Sequence, residues 1–146
     1  MLNLYNPLAL TEEQKLVYIK LLIYLAKSDN NPDSIEQTFI KKIIARFQLP
    51  PTVLVGLNVP KSIDDLFSAV QPIKDRAIAV DLVHCLWFAA SIDGEIANEE
   101  VLIIRNVARL LNIGDDTILI LNNFVLDELT FLQQACDFLE TEEVRC

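Results

Sequence analysis

The sequence predicts an all-α domain of about seven helices, including two pseudo-two-fold related helix–acidic loop–helix repeats. Three observations carry that prediction. Apolar residues recur at helical spacing over most of the chain, and no segment shows a convincing strand alternation. Capping signatures of the Ser/Thr/Asp-x-x-Glu/Gln kind open several of these stretches. A shift of 64 residues also lays 16–50 onto 80–114 without a gap.

In chain order, Thr11-Glu12-Glu13-Gln14 is a capping box that opens a helix with Leu16, Ile19, Leu22, Ile23 and Ala26 at helical spacing. That helix ends near Lys27–Ser28, before Asp29-Asn30-Asn31-Pro32. Asp33-Ser34-Ile35-Glu36 is a second capping box. It starts a helix with Phe39, Ile40, Ile43, Ile44 and Phe47 on one face, stopped by Pro50-Pro51. Residues 51–61 hold a short turn or helix bounded by Pro60, and Ser62-Ile63-Asp64-Asp65 caps a brief helix to about Val70. Pro72 starts the most apolar helix, about 73–91. The loop Ile92-Asp93-Gly94-Glu95 follows, with Gly94 suited to a left-handed position after a helix end. Asn98 caps a helix to about Leu111, closed by Asn112-Ile113-Gly114. Asp115 or Asp116 caps a last helical region, broken near Leu129–Thr130, that ends around Glu140.

These elements form one domain over 1–146: repeat one at 11–50, a linker at 51–72, repeat two at 73–114 and a C-terminal helical region at 115–141. Five aligned positions are identical between the repeats: Leu22/Leu86, Ala26/Ala90, Asp29/Asp93, Glu36/Glu100 and Ile40/Ile104. Two unrelated amphipathic helices would match at apolar positions alone. They would not also align an Asp at the helix end with a Glu seven residues later, so the pattern argues for duplication.

Composition narrows the function. The 146 residues are 52% hydrophobic with 3 Gly, which gives a real core and an apolar surplus suited to a homodimer or a partner surface. Residues 1–75 carry eight basic and eight acidic side chains, while 76–146 carry four and thirteen, so the second half holds the whole net charge of −9. No Lys/Arg cluster tracks a phosphate backbone, and an acidic face repels nucleic acid. Metal ions, cationic ligands or basic proteins fit better. Cys85, Cys136 and Cys146 form neither a disulfide framework nor a C-x-x-C clasp, which suits a reducing cytoplasm. The longest apolar runs, Leu16–Ala26 and Leu82–Ile92, fall short of the roughly 20 residues that span a bilayer.

The acidic loops are the candidate site. Asp29 and Asp93 follow a helix, and Glu36 and Glu100 lie in the first turn of the next. A tight turn brings each pair together, and two facing repeats would gather four carboxylates. Hard divalent cations bind such ligand sets. A true EF-hand does not fit, because Ala89 and Ser91 stand where its first Asp ligands belong, as do Leu25 and Lys27 in the other copy. The alternative is structural: Glu36 completes a capping box from Asp33, and the Asp residues cap free amides. Asp81, His84 and Cys85 share a helix with zinc-type chemistry, but a lone His within the most apolar segment reads as structural. Gly-rich phosphate loops, G-x-S-x-G and H-E-x-x-H are missing, so a non-enzymatic role is expected.

The stretch Ala89-Ala90-Ser91-Ile92-Asp93-Gly94-Glu95-Ile96-Ala97-Asn98-Glu99-Glu100, with its weaker upstream copy Ala26-Lys27-Ser28-Asp29 through Glu36, resembles the signature of the tellurite-resistance TerB family. The N-terminal domain of DjlA-type co-chaperones shares that signature. The resemblance covers roughly residues 10–140, with about a dozen positions that carry specific information. It implies a fold of about seven helices and a role in tellurite or other chemical stress, with metal-ion binding and assembly with other proteins. Under it, Asp29, Glu36, Asp93 and Glu100 carry the acidic motif. Ser28 and Ile92 replace the usual Ala before Asp, and Asn30-Asn31 replaces Gly-Glu in the first copy.

Overall fold

Thirteen of the sixteen residues of the helix Arg76–Ser91 are buried, which only a helix surrounded by others can achieve. A computed structural model describes residues 9–28, 34–92 and 96–141, with the backbone alone at 34–36 and 136–141. Its elements run α1 (Glu12–Ser28), α2 (Ser34–Arg46), 3-10 turns at Pro51–Leu54 and Ile63–Asp65, α3 (Leu66–Ala69), α4 (Arg76–Ser91), α5 (Asn98–Leu110) and α6 (Asp115–Thr141). The described residues are thus all-helical, with six α-helices in place of the expected seven or so, and the linker supplies the 3-10 turns.

α4 is the axis of the fold, and α1, α2, α5 and α6 pack around it. α1 turns Val17, Tyr18, Ile19, Leu21, Leu22, Leu25 and Ala26 into the core, and α2 adds Phe39, Ile40, Ile43 and Ile44. Phe39 meets Phe88 of α4 with ring centroids 5.4 Å apart, and Tyr18 meets Phe47 edge-on at 5.2 Å. Each fully buried side chain of this size contributes about 1.5–3 kcal/mol from water exclusion.

The helix ends show where local chemistry decides a boundary. Thr11 Oγ1 accepts from the Gln14 N–H at 3.1 Å and Gln14 Oε1 accepts from the Thr11 N–H at 3.0 Å, which completes the expected capping box. α4 starts at Arg76, three residues later than expected from Pro72. Asp75 Oδ1 accepts from the N–H groups of Ala77 and Ile78 at 2.8 and 3.4 Å, and this cap sets the start. Asn98 is not the cap of α5; it is the first helical residue, and Ala97 holds the cap position with φ −71° and ψ 150°. α6 shows no break near Leu129–Thr130. No Gly or Pro lies between Asp115 and Thr141, and one Thr costs a helix only a few tenths of a kcal/mol.

Moved by 64 residues, Ser34–Arg46 becomes Asn98–Leu110, so the bounds of α2 fall on those of α5, and the start of α1 falls on that of α4. Thr11 and Asp75, the caps of α1 and α4, are also 64 apart. Gln48 and Asn112, past the ends of α2 and α5, share a left-handed φ of 58° and 59°. Behind them the Leu49 N–H donates to the Ile44 carbonyl at 3.1 Å and the Ile113 N–H to the Ala108 carbonyl at 2.8 Å. Both are Schellman closures.

Candidate functional site

Asp29 and Asp93 lie outside the described residues, and so does the convergence expected of the two acidic loops. Glu36 is the third residue of α2, with its side chain undescribed, and Glu100 is the third residue of α5. The Glu100 side chain points inward. The residue is 2% exposed, and its Oε1 accepts from the Ala97 N–H at 3.1 Å. That is half of a capping box, since Ala97 has no side-chain acceptor to complete it. A carboxylate buried in this way is tied to its own helix start. Among the described residues no group of three or more His, Cys, Asp and Glu is placed to hold a metal ion.

The most concentrated buried polar chemistry lies along α4. His84 is completely buried, and its Nε2 sits 2.6 Å from Oε1 of Glu128 on α6. An ionised carboxylate only accepts, which assigns the hydrogen to Nε2. One turn earlier, Asp81 Oδ2 accepts from the Tyr18 hydroxyl of α1 at 2.8 Å, while its buried Oδ1 has no hydrogen-bond partner. Burial pushes the Asp81 carboxyl above the usual carboxylate range, against the opposing pull of the Tyr18 hydroxyl, His84 and Arg46. Cys85 is fully buried, and the same desolvation, with Asp81 nearby, raises its thiol pKa strongly. Trp87 Nε1 donates to Asn122 Oδ1 at 2.7 Å. These groups tie α4 to α1 and α6. Asp81, His84 and Cys85 do not assemble as a zinc-type set, and the imidazole is closed off from solvent.

Neither Glu128 nor Asn122 stands out in the sequence. Glu128 lies 44 positions from His84 and Asn122 lies 35 from Trp87, so no local motif links them. The usable signal was the residue type: a His or Trp inside an apolar helix needs a polar partner somewhere.

An open cleft of about 580 Å³ lies between α1 and the 51–72 linker, the connector between α2 and α4, and is lined by Tyr24, Lys27, Ser28 and 57–61. Lys20 and Asp65 border a neighbouring cleft against the same connector. Burial and then the Asp65 carboxylate push the Tyr24 phenol pKa up, so it stays a hydrogen-bond donor at neutral pH.

Among the described residues, half of the exposed large apolar side chains lie on α6. Ile118, Leu121 and Val125 are buried, whereas Leu119, Ile120, Phe124, Leu126, Phe131 and Leu132 are exposed, Phe131 to 67%. Leu132 continues the row of Ile118, Leu121 and Val125 at helical spacing, yet it is 46% exposed. The row therefore outruns the body that covers it. A groove lined by Ser91 at the end of α4, Ile96, Leu126, Leu129, Thr130, Gln133 and Gln134 marks where that cover stops. No described helix is long and apolar enough to cross a membrane.

No family model, curated protein or solved structure matches this chain.

Proposed function

We propose that the chain is a non-enzymatic, TerB-like module that works by binding another protein, with α6 as its working surface. The observation that carries this reading is the row of large apolar side chains left exposed on α6. Exposed apolar patches of this kind mark interaction surfaces in soluble domains. Glu100 supports the same reading, because a buried carboxylate bonded to the Ala97 N–H acts as a helix cap. The TerB resemblance adds chemical stress, tellurite included, as the setting. The 64-residue correspondence of helix bounds, caps and left-handed closures supports an origin of α1–α2 and α4–α5 by duplication.

The test is site-specific photo-crosslinking in the cells that make the protein. A benzoylphenylalanine probe would be placed at Phe124, at Phe131 and at the exposed Lys41 of α2. A discrete crosslinked protein is expected from the two α6 positions and not from Lys41. The same weak pattern from all three positions would overturn the proposal.

A further inference from the structure

Resting on that reading of α6, we infer that its partner contributes an amphipathic helix with Lys or Arg beside its apolar row. Ile120, Phe124 and Phe131 fall on one line of the helix, at i, i+4 and i+11. All three are exposed. This row is separate from Ile118, Leu121 and Val125, which face the core. A helix laid along it covers the row with its own apolar residues, as in other helix-in-groove complexes.

Charge selects the kind of helix. Over its 27 residues α6 carries Asp115, Asp116, Asp127, Glu128, Asp137 and Glu140, and no Lys or Arg. Glu128 is engaged by His84. Asp127 is exposed at i+7 of the same line, three residues after Phe124 and four before Phe131, so it interrupts the apolar row between the two aromatics. A basic side chain on the partner would meet Asp127 there and gain speed and specificity of association.

The same geometry argues against a second copy of this chain. An antiparallel pairing centred between Phe124 and Phe131 would set the two Asp127 carboxylates against each other, in a chain of net charge −9. Like charges at that spacing oppose association.

The experiment uses the full-length protein and two synthetic helical peptides with the same Leu row, one flanked by Lys and one by Glu. Binding is followed by fluorescence anisotropy. The wild type should bind the Lys peptide at least about tenfold more tightly than the Glu peptide. Phe124→Ser with Phe131→Ser should weaken the Lys peptide by about tenfold or more, as for loss of two aromatic anchors. Asp127→Lys should weaken the Lys peptide and strengthen the Glu peptide, a reversal that general stickiness would not produce. All three positions are exposed, and circular dichroism checks that the variants fold. Equal affinity for both peptides, no binding of the Lys peptide, or no response to Asp127→Lys would overturn the inference. A dimer in analytical ultracentrifugation that is lost in the Phe124→Ser/Phe131→Ser variant would overturn it in favour of self-association. Crosslinks at Phe124 and Phe131 that persist despite a failed peptide experiment would leave the interaction reading standing and sink the partner chemistry alone.

Discussion

Replacing Glu128 with alanine removes the carboxylate that lies 2.6 Å from Nε2 of the fully buried His84. Deleting one partner of a buried hydrogen bond leaves the other unsatisfied at a cost of about 1–3 kcal/mol, and a hydrogen bond to a charged group contributes about 1.5–3 kcal/mol. The Glu128 side chain retains 20% of its exposure, so water partly screens it, and the upper end of these ranges does not apply. Glu128→Ala should therefore cost about 2 kcal/mol. Glu128→Gln keeps an acceptor for the Nε2 hydrogen and should cost about 1 kcal/mol. The assay is urea unfolding followed by far-UV circular dichroism and by fluorescence of Trp87, the single tryptophan. Trp87 lies on the same helix as His84 and also reaches α6, through Asn122. A double-mutant cycle with His84→Leu separates the pair from the packing lost by each change. A coupling of about 1.5 kcal/mol or more is expected. A coupling below about 0.5 kcal/mol would show that the pair is incidental to the α4–α6 junction.

The remaining predictions concern the other buried polar groups. A folded-state Asp81 pKa raised by burial means the folded protein holds that proton more tightly than the unfolded chain. Its contribution is most favourable below the ordinary Asp value of about 3.9 and is lost as pH rises through the raised value. Asp81→Asn mimics the protonated form and keeps an acceptor for Tyr18, so its stability relative to wild type should grow from pH 4 to pH 7 in urea titrations; a pH-independent difference would refute the desolvation argument. Glu100→Ala should cost about 1–2 kcal/mol from the lost cap bond. Calorimetric titration with Ca²⁺, Mg²⁺, Mn²⁺ and Zn²⁺ should give the same heats for Glu100→Gln as for wild type. Heats lost in Glu100→Gln, and likewise in Asp29→Ala/Asp93→Ala, would instead make Glu100 a ligand. Native protein treated with iodoacetamide should leave Cys85 unmodified by peptide mass mapping, and urea should expose it, because burial both excludes the reagent and suppresses the thiolate.

Much of the helical layout is legible in the sequence because its causes are local. The Thr11–Gln14 box and the periodicity of α2 and α5 involve neighbours within four residues, so they can be read without knowing the fold. Pro72 points to too early a start for α4 because it is only a permissive signal, whereas Asp75 satisfies two amides directly. Asn98 looked like a cap by residue type, but Glu100 selects Ala97 by reaching back to its N–H. The candidate site was less legible. Whether Glu100 points into a loop or into the core depends on how α5 meets α1 and α4, which is a tertiary fact. The Tyr18–Asp81 and His84–Glu128 pairs join helices far apart in sequence and leave no pattern along the chain.

The expected break in α6 bears most directly on function. A break near Leu129–Thr130 would let the last residues fold back to hide Phe131 and Leu132. The helix instead runs through 27 residues, about 40 Å at 1.5 Å per residue, while α4 has 16. A helix that much longer than the one it packs on must leave part of its length uncovered. In a helix meant only for solvent, the uncovered part would be expected to turn polar. Here Phe131 and Leu132 follow directly on the covered segment, on a helix without a single Lys or Arg. Shortening the chain after Thr130 should therefore spare the α4–α6 junction made by Asn122 and Glu128 and keep the Trp87 fluorescence of the folded protein. It should also abolish crosslinking from Phe124, because the remaining row is too short to seat a partner. Retained crosslinking in that truncated chain would place the binding surface elsewhere.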